Sequence, residues 1–252
     1  MAEQPVMLPR FLALDLDPAA RTASLSAEEA HHLMHVLRLR FGDEISVFDG
    51  SGREYRARIE RISRDGAQLH LLEEISAAPE PAVRLTLAQA VLKGDRMEDV
   101  VRDATMMGAM AIEPVISERT IVRAGSLRDG RASDRWRRIA IASAKQSRRA
   151  VLPAIGEGTE MSEWILQDDA ERRLMLVEPS AGIDTRPVSA VAADPPSTAS
   201  LLVGPEGGWS PAEIESAVQA GFVPITLGRR TLRADAVAIV AIAILQHVWR
   251  DL

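Results

Sequence analysis

Leu201-Leu202-Val203-Gly204-Pro205-Glu206-Gly207-Gly208-Trp209-Ser210-Pro211-Ala212-Glu213 runs a buried-type strand into a glycine-rich turn and starts a helix at once. Ser210 suits the N-cap, Pro211 the first helical position, and Glu213 completes a capping box. Gly204, Gly207 and Gly208 permit positive φ and let a ligand approach bare backbone. In a parallel sheet, ligands bind beyond the carboxyl ends of strands, where this turn must lie. No Gly-Lys-Ser/Thr follows, so it is not a Walker A loop. The glycine spacing also fails the dinucleotide fingerprint. Glu206 would repel a pyrophosphate, which points to a neutral or cationic ligand held by backbone groups. A tight turn without a ligand is the alternative.

Leu227-Gly228-Arg229-Arg230-Thr231-Leu232-Arg233-Ala234-Asp235 repeats the arrangement, with a strand ending, a glycine turning the chain and a helix beginning near Arg233. A cation in a first helical turn opposes the macrodipole, so Arg233 needs a task or an acidic partner; Asp235 is well placed there. Working outward, strands are expected at 83–92, 111–116, 174–177, 201–203 and 223–227. Helices are expected at 95–107, closed by Gly108, and at 134–149, 211–220 and 233–249. This alternation predicts an α/β fold with a mostly parallel sheet and helices on both faces. The last helix is apolar nearly all round from Ala236 to Leu245, so it is expected to be buried in the core or against a second subunit. Before residue 76 the rhythm is that of short strands (44–48, 55–62, 67–72) with turns at Asp49-Gly50-Ser51-Gly52 and Asp65-Gly66. One short helix is expected from Ser26, closed by a Ser26/Glu29 capping box, with Leu33, Val36 and Leu37 as its apolar stripe. Ser76–Pro81 breaks both patterns, which predicts two domains, 1–76 and 82–252.

The 252 residues have an ordinary globular composition, 46% hydrophobic and 26% charged, and no cysteine. Disulfides, thiolate metal sites and cysteine nucleophiles are thereby excluded. The first residues lack the basic start and apolar run of a signal peptide. The longest apolar run, Ala236 to Leu245, is about half of the ~20 residues that a membrane span needs. A soluble, cytoplasmic protein without membrane partners is expected. From Arg119 to Arg149, nine arginines and one lysine stand against Asp129 and Asp134, a net +8. The rest of the chain carries −14 of the total of −6. A basic patch on an acidic body suits local phosphate binding.

Val203-Gly-Pro-Glu-Gly-Gly208, Ser210-x-x-Glu213, Gly221-Phe222, Leu227-Gly-x-Arg230 and Leu232-Arg233 together resemble the bacterial 16S ribosomal RNA uridine-N3 methyltransferase family, of the SPOUT class. Upstream, Arg10-Phe11, His32 with Val36-Leu37-Arg38, Gly42-Asp43 and Asp49-Gly50-x-Gly52 resemble that family's small N-terminal PUA-like RNA-binding β-barrel. Lys93, Gly108, Pro114 with Arg119, and Gln146-Ser147-x-Arg149 resemble its middle section. The resemblance implies a SPOUT α/β domain with a deep C-terminal trefoil knot, a homodimer, S-adenosyl-L-methionine as cofactor, and 16S rRNA or the small ribosomal subunit as substrate. It assigns the cofactor loops to Leu176-Val177-Glu178, Val203-Gly204-Pro205 with Gly207-Gly208, and Leu227-Gly228 with Leu232, the two leucines sandwiching the adenine. The chain departs from the family pattern at Met106, Lys145, Ala234 and Asp235, where carboxylates or hydroxyls are lost or shortened.

Uridine N3 is a poor nucleophile until its proton leaves, so the reaction needs an aligned methyl donor, a proton sink and positive charge near O2 or O4. Arg233 is the candidate for the charge, and Glu206 or Asp235 for the proton. Arg10, His32, Arg38, Arg119, Gln146, Arg148 and Arg149 are the candidate RNA contacts, since forked guanidiniums suit phosphate. His31, His32 and His35 lack the further ligands that a zinc motif needs, so no metal is expected. Trp209 is either a base-stacking residue or a core residue. A non-catalytic RNA-binding protein of the same fold and a methyltransferase acting on another RNA are the alternatives. An unrelated enzyme holding an anionic cofactor is disfavoured by the basic patch.

Overall fold

The computed structural model describes residues 8–121, 127, 130–191 and 194–251; Arg123, Arg128 and Asp129 of the basic segment lie outside them. The chain divides into two compact units. The first comprises the described residues up to Pro79 together with Ala144–Leu152, and the second Glu80–Ser143 and Pro153 onward.

The first unit is a six-stranded sheet built from β1 (Arg10–Leu12), β2 (Asp15–Asp17), β3 (Thr22–Leu25), β4 (Glu44–Phe48), β5 (Glu54–Ser63) and β6 (Gly66–Ile75). Its order is β1-β4-β5-β6-β3-β2, with only the β1–β4 pair parallel. Two register shifts in the β5–β6 ladder, at Arg56/Ala57 and Ile59/Arg61, bend the sheet around a core of Phe11, Leu33, Ile45, Val47, Ile59 and Leu69. The expected small β-barrel domain is present as a curled half-barrel, with β1 and β2 as the two ends of its strand order. Gly66 (φ +153°) makes the β5–β6 turn where a Cβ would lie 2.5 Å from the Leu25 carbonyl oxygen.

Ser26 caps α1 (Ala27–His31) by accepting from the Glu29 amide at 3.3 Å. The expected box is incomplete, because the Glu29 carboxylate instead holds the Lys145 ammonium. The helix then widens into a π-type turn over His32–Val36. That change of phase buries Leu33 but leaves Val36 and Leu37 exposed, so the expected apolar stripe is reduced to its first member.

The second unit holds an eight-stranded, wholly parallel sheet: β7 (Arg84–Ala90), β8 (Ala111–Ile116), β9 (Ala154–Ile155), β10 (Thr159–Glu160), β11 (Arg172–Leu176), β12 (Arg186–Pro187), β13 (Thr198–Val203) and β14 (Val223–Thr226). The order is β10-β8-β7-β13-β11-β14-β12, with β9 also on β8. The helices are α2 (Arg96–Met106), α3 (Arg131–Ser147), α4 (Met161–Gln167), α5 (Pro211–Gln219) and α6 (Ala234–Val248). Successive strand residues point to opposite faces. Leu201, Val203, Leu174 and Leu176 join a core with residues of α2, α3 and α6. Leu202, Met175 and Val177 join a second core with residues of α4 and α5. The sheet is thus covered on both faces, as the sequence pattern predicts. Among the described residues no helix is long and apolar enough to cross a membrane.

Candidate active site

β13, β11 and β14 are neighbours in the sheet, so their carboxyl ends bring three loops together: Val177–Pro179, Gly204–Ser210 and Leu227–Arg233. A cavity of about 460 Å³ opens among them. The loop after β13 is fixed at its far end by α5. Ser210 accepts from the Glu213 amide at 3.3 Å, and the Glu213 carboxylate accepts from the Ser210 amide at 2.8 Å, giving the expected capping box. The other Glu213 oxygen accepts from the Glu118 amide at 2.8 Å. The middle of the loop is pinned by Trp209, whose indole N–H donates to the Leu176 carbonyl at 2.9 Å. Trp209 is buried, which makes it a core residue and removes it as a base-stacking candidate. A Cβ on Gly204 would lie 3.1 Å from that indole, and Gly208 turns the chain at φ +66° beside Glu178.

Leu176, Val177, Glu178, Val203, Gly204, Pro205, Gly208, Leu227 and Leu232 line the cavity. Gly207 does not; it lines an adjoining cavity, where its carbonyl accepts from Arg119 Nη1 at 2.9 Å. Gly228 makes the turn after β14 at φ +126° without lining either space. Sequence reasoning missed Arg96, Pro179, Arg230, Thr231 and Val237, which also line the cavity. Arg230 lay within the quoted motif but carried no assigned role. Arg96 starts a helix distant in sequence and comes to the site because β7 lies beside β13.

Two ion pairs set the local charge. Arg96 Nη1 meets Glu206 Oε1 at 2.9 Å, and the same oxygen accepts from the Lys93 amide at 3.2 Å. Arg233 holds Asp235 through two bonds, Nε to Oδ1 at 3.1 Å and Nη2 to Oδ2 at 2.6 Å. Burial works to raise the Asp235 carboxyl, but the Arg233 hydrogen bond and charge outweigh it and hold the group below its ordinary range. The Arg233 side chain is 71% exposed, against 16% for Asp235. Arg233 and Glu206 line the cavity; Asp235 stands behind Arg233 and does not.

The candidate RNA contacts divide differently. Arg38, Arg119, Gln146 and Arg148 are exposed, and His32 is half-buried with its ring against Phe11. Two are corrected. Arg10 spends all five of its N–H donors inside the first unit, on both Glu54 oxygens and on the carbonyls of Ala144, Lys145 and Arg149. Arg149 is buried. Neither has a guanidinium to offer a phosphate. The expected basic patch is likewise partly neutralised, since Arg135 pairs with Glu98 and Arg137 with Asp134. Among the described residues no group of three or more metal-ligating side chains occurs.

Residues 79–246 match the family model for an RNA methyltransferase domain, and residues 25–72 that for an RNA methyltransferase PUA domain. A relative from Synechocystis, a ribosomal RNA small subunit methyltransferase E, is 33% identical over 88% of this chain and 72% of its own length. The chain belongs to the ribosomal RNA small subunit methyltransferase E family. A Bacillus subtilis member is 28% identical over 90% of this chain and 91% of its own. A crystal structure of the Neisseria gonorrhoeae member bound to S-adenosyl methionine is 32% identical and superposes with a TM-score of 0.84, covering 96% of this chain and 98% of that one. A methyltransferase from Legionella pneumophila in complex with SAM superposes equally well at 28% identity.

Proposed function

We propose that this protein transfers a methyl group from S-adenosyl-L-methionine to N3 of a uridine in 16S rRNA of the small subunit, at the three-loop cavity of the second unit. The observation that carries the reading is the convergence of the loops after β11, β13 and β14 on one cavity with Arg233 in its wall. The residues present suit that cofactor. The volume is within the range of small-molecule sites (about 300–1,000 Å³). Val203, Leu176, Leu227 and Leu232 offer apolar surface to an adenine, and the Glu178 and Glu206 carboxylates complement a sulfonium cation.

When bound, S-adenosylmethionine supplies an electrophilic methyl group. The chain's own residues do the rest. Asp235 occupies Nε and Nη2 of Arg233 and so fixes the direction of the guanidinium. The remaining N–H donors of Arg233 are left for a uracil carbonyl oxygen, where negative charge grows as the N3 proton leaves. Glu206 takes that proton in this reading. Each carboxylate is paired with an arginine, Glu206 with Arg96 and Asp235 with Arg233, but only Glu206 lines the cavity. The three-loop region, within domain 82–252, carries the chemistry, and domain 1–76 binds RNA.

The strand order supports the trefoil knot implied by the family. The chain leaves β11, visits the sheet edge at β12 and returns to β13 on the other side of β11. β14 is then laid between β11 and β12, inside that loop, before α6 begins. The exposed Ala236 and Val240 on α6 give a second copy an apolar face in a cytoplasmic homodimer. The test is incubation with S-adenosylmethionine and small ribosomal subunits lacking the modification, followed by nucleoside mass spectrometry. 3-Methyluridine is expected. Cofactor binding with no methylated nucleoside in small-subunit RNA would overturn the assigned substrate, and no cofactor binding would overturn the activity.

A further inference from the structure

The first unit carries a turn whose composition the methyl-transfer chemistry does not use. The helical segment ends at Leu37, and Arg38 takes the left-handed conformation (φ 58°) that follows a helix C-cap. Glycine is the usual occupant there, because a side chain in that region costs about 1 kcal/mol. Leu39, Arg40 and Phe41 follow, and Gly42 (φ +89°) turns the chain into β4. Phe41 is 77% exposed, among the most exposed large apolar side chains described. Arg38 and Arg40 precede it in the same turn, both exposed, and neither side chain has a hydrogen bond or ion pair among the described residues.

The turn is nevertheless tightly held. The Leu39 amide donates to the Leu33 carbonyl at 3.0 Å, and the Arg40 amide to Asp43 Oδ2 at 2.7 Å. The Gly42 amide donates to the Ile59 carbonyl at 2.9 Å, and the Ile59 amide returns to the Asp43 carbonyl at 3.0 Å. The nearby carboxylates are occupied: Asp43 caps the Arg40 amide, and Glu44 pairs with Arg56 and Arg58. A tightly held turn thus offers one bare aromatic ring and two unpaired guanidiniums within four residues. An apolar protein partner has no use for the two cations, whereas a nucleotide chain uses all three groups. Bases stack on aromatic rings irrespective of sequence, and forked guanidiniums take the flanking phosphates.

We infer that the Arg38–Gly42 turn is a stacking platform for an unpaired RNA base, with Phe41 under the base and Arg38 and Arg40 on the adjoining phosphates. The inference rests on the rRNA substrate proposed above and names where the first unit grips it. The test uses the full-length protein and transcribed small-subunit rRNA at about 0.1 M salt. Phe41→Ala is expected to weaken RNA binding about 5- to 100-fold, with cofactor affinity unchanged. Phe41→Trp is expected to restore binding and to report it directly. The four native tryptophans are buried, so the introduced indole adds an exposed emission that a stacked base quenches. Wild-type binding by the Phe41→Ala protein, or an introduced indole that RNA leaves unquenched, would overturn the platform while leaving the substrate intact. A Phe41→Ala protein whose self-association changes while its RNA affinity does not would assign the ring to a protein contact and overturn the platform too. Wild-type protein that does not bind the RNA at all would remove the substrate reading, and the platform with it.

Discussion

In the proposed reaction, Arg233 is the residue on which the chemistry turns. Its guanidinium is mostly exposed, yet its direction is fixed by a two-point bond to Asp235. Replacing it by alanine removes a donor at developing charge, which costs about 100- to 1,000-fold in turnover, while the apolar cofactor walls stay in place. Asp235→Asn keeps the size but not the charge, so a smaller loss of turnover is expected, with cofactor affinity unchanged; steady-state kinetics with separate cofactor titration checks both. Glu113 illustrates a different effect. Burial alone pushes its carboxyl above the ordinary range, and it lies so close to Gly156 that a Cβ there would meet its Oε2 at 2.0 Å. The folded pKa is therefore above the unfolded one, and the ionised carboxylate destabilises the fold at neutral pH. Glu113→Gln should raise the melting temperature at pH 7. The gain should fade as pH drops through the folded and then the unfolded pKa, a comparison that melting curves at several pH values make. The sequence showed which residue types gather at the loops, but not that Arg10 and Arg149 are spent internally. Burial of an arginine depends on partners 44 to 139 positions away, which no local pattern carries.

Elements with strong local codes were legible. The capping box at Ser210 and Glu213 is present as expected, because both its bonds span three residues. Ser210→Ala should cost about 1 kcal/mol and lower the melting temperature measurably. It should also weaken cofactor binding, since the cap ends the loop that walls the cavity. The strands β4, β5, β6 and β7 fell where the apolar pattern put them, within one or two residues of their ends except that β6 runs three residues past its expected end. Strands of two or three residues, such as β2, β9 and β12, were not legible, because so short a run has no period to read. The π-type turn after α1 was missed for a related reason: one residue inserted in a helical repeat changes which side chains face inward without changing composition.

At the scale of the whole molecule, the parallel sheet and its two covered faces followed from strand-helix alternation. The sequence did not show that β14 inserts between β11 and β12, because strand order is a long-range property. The same limit applies to assembly. Val240→Glu, placed on the exposed side of α6, should convert the proposed dimer into monomers by sedimentation, with melting of the second unit little affected. The central claim joins the cavity to the reaction. It is tested most directly by single-turnover transfer from enzyme preloaded with methyl-labelled S-adenosylmethionine to unmodified small subunits, comparing wild type with Arg233→Ala and measuring cofactor affinity on the same samples. The account predicts equal cofactor affinity and transfer slowed by about 100-fold or more in the variant. Transfer at the wild-type rate by Arg233→Ala would contradict it.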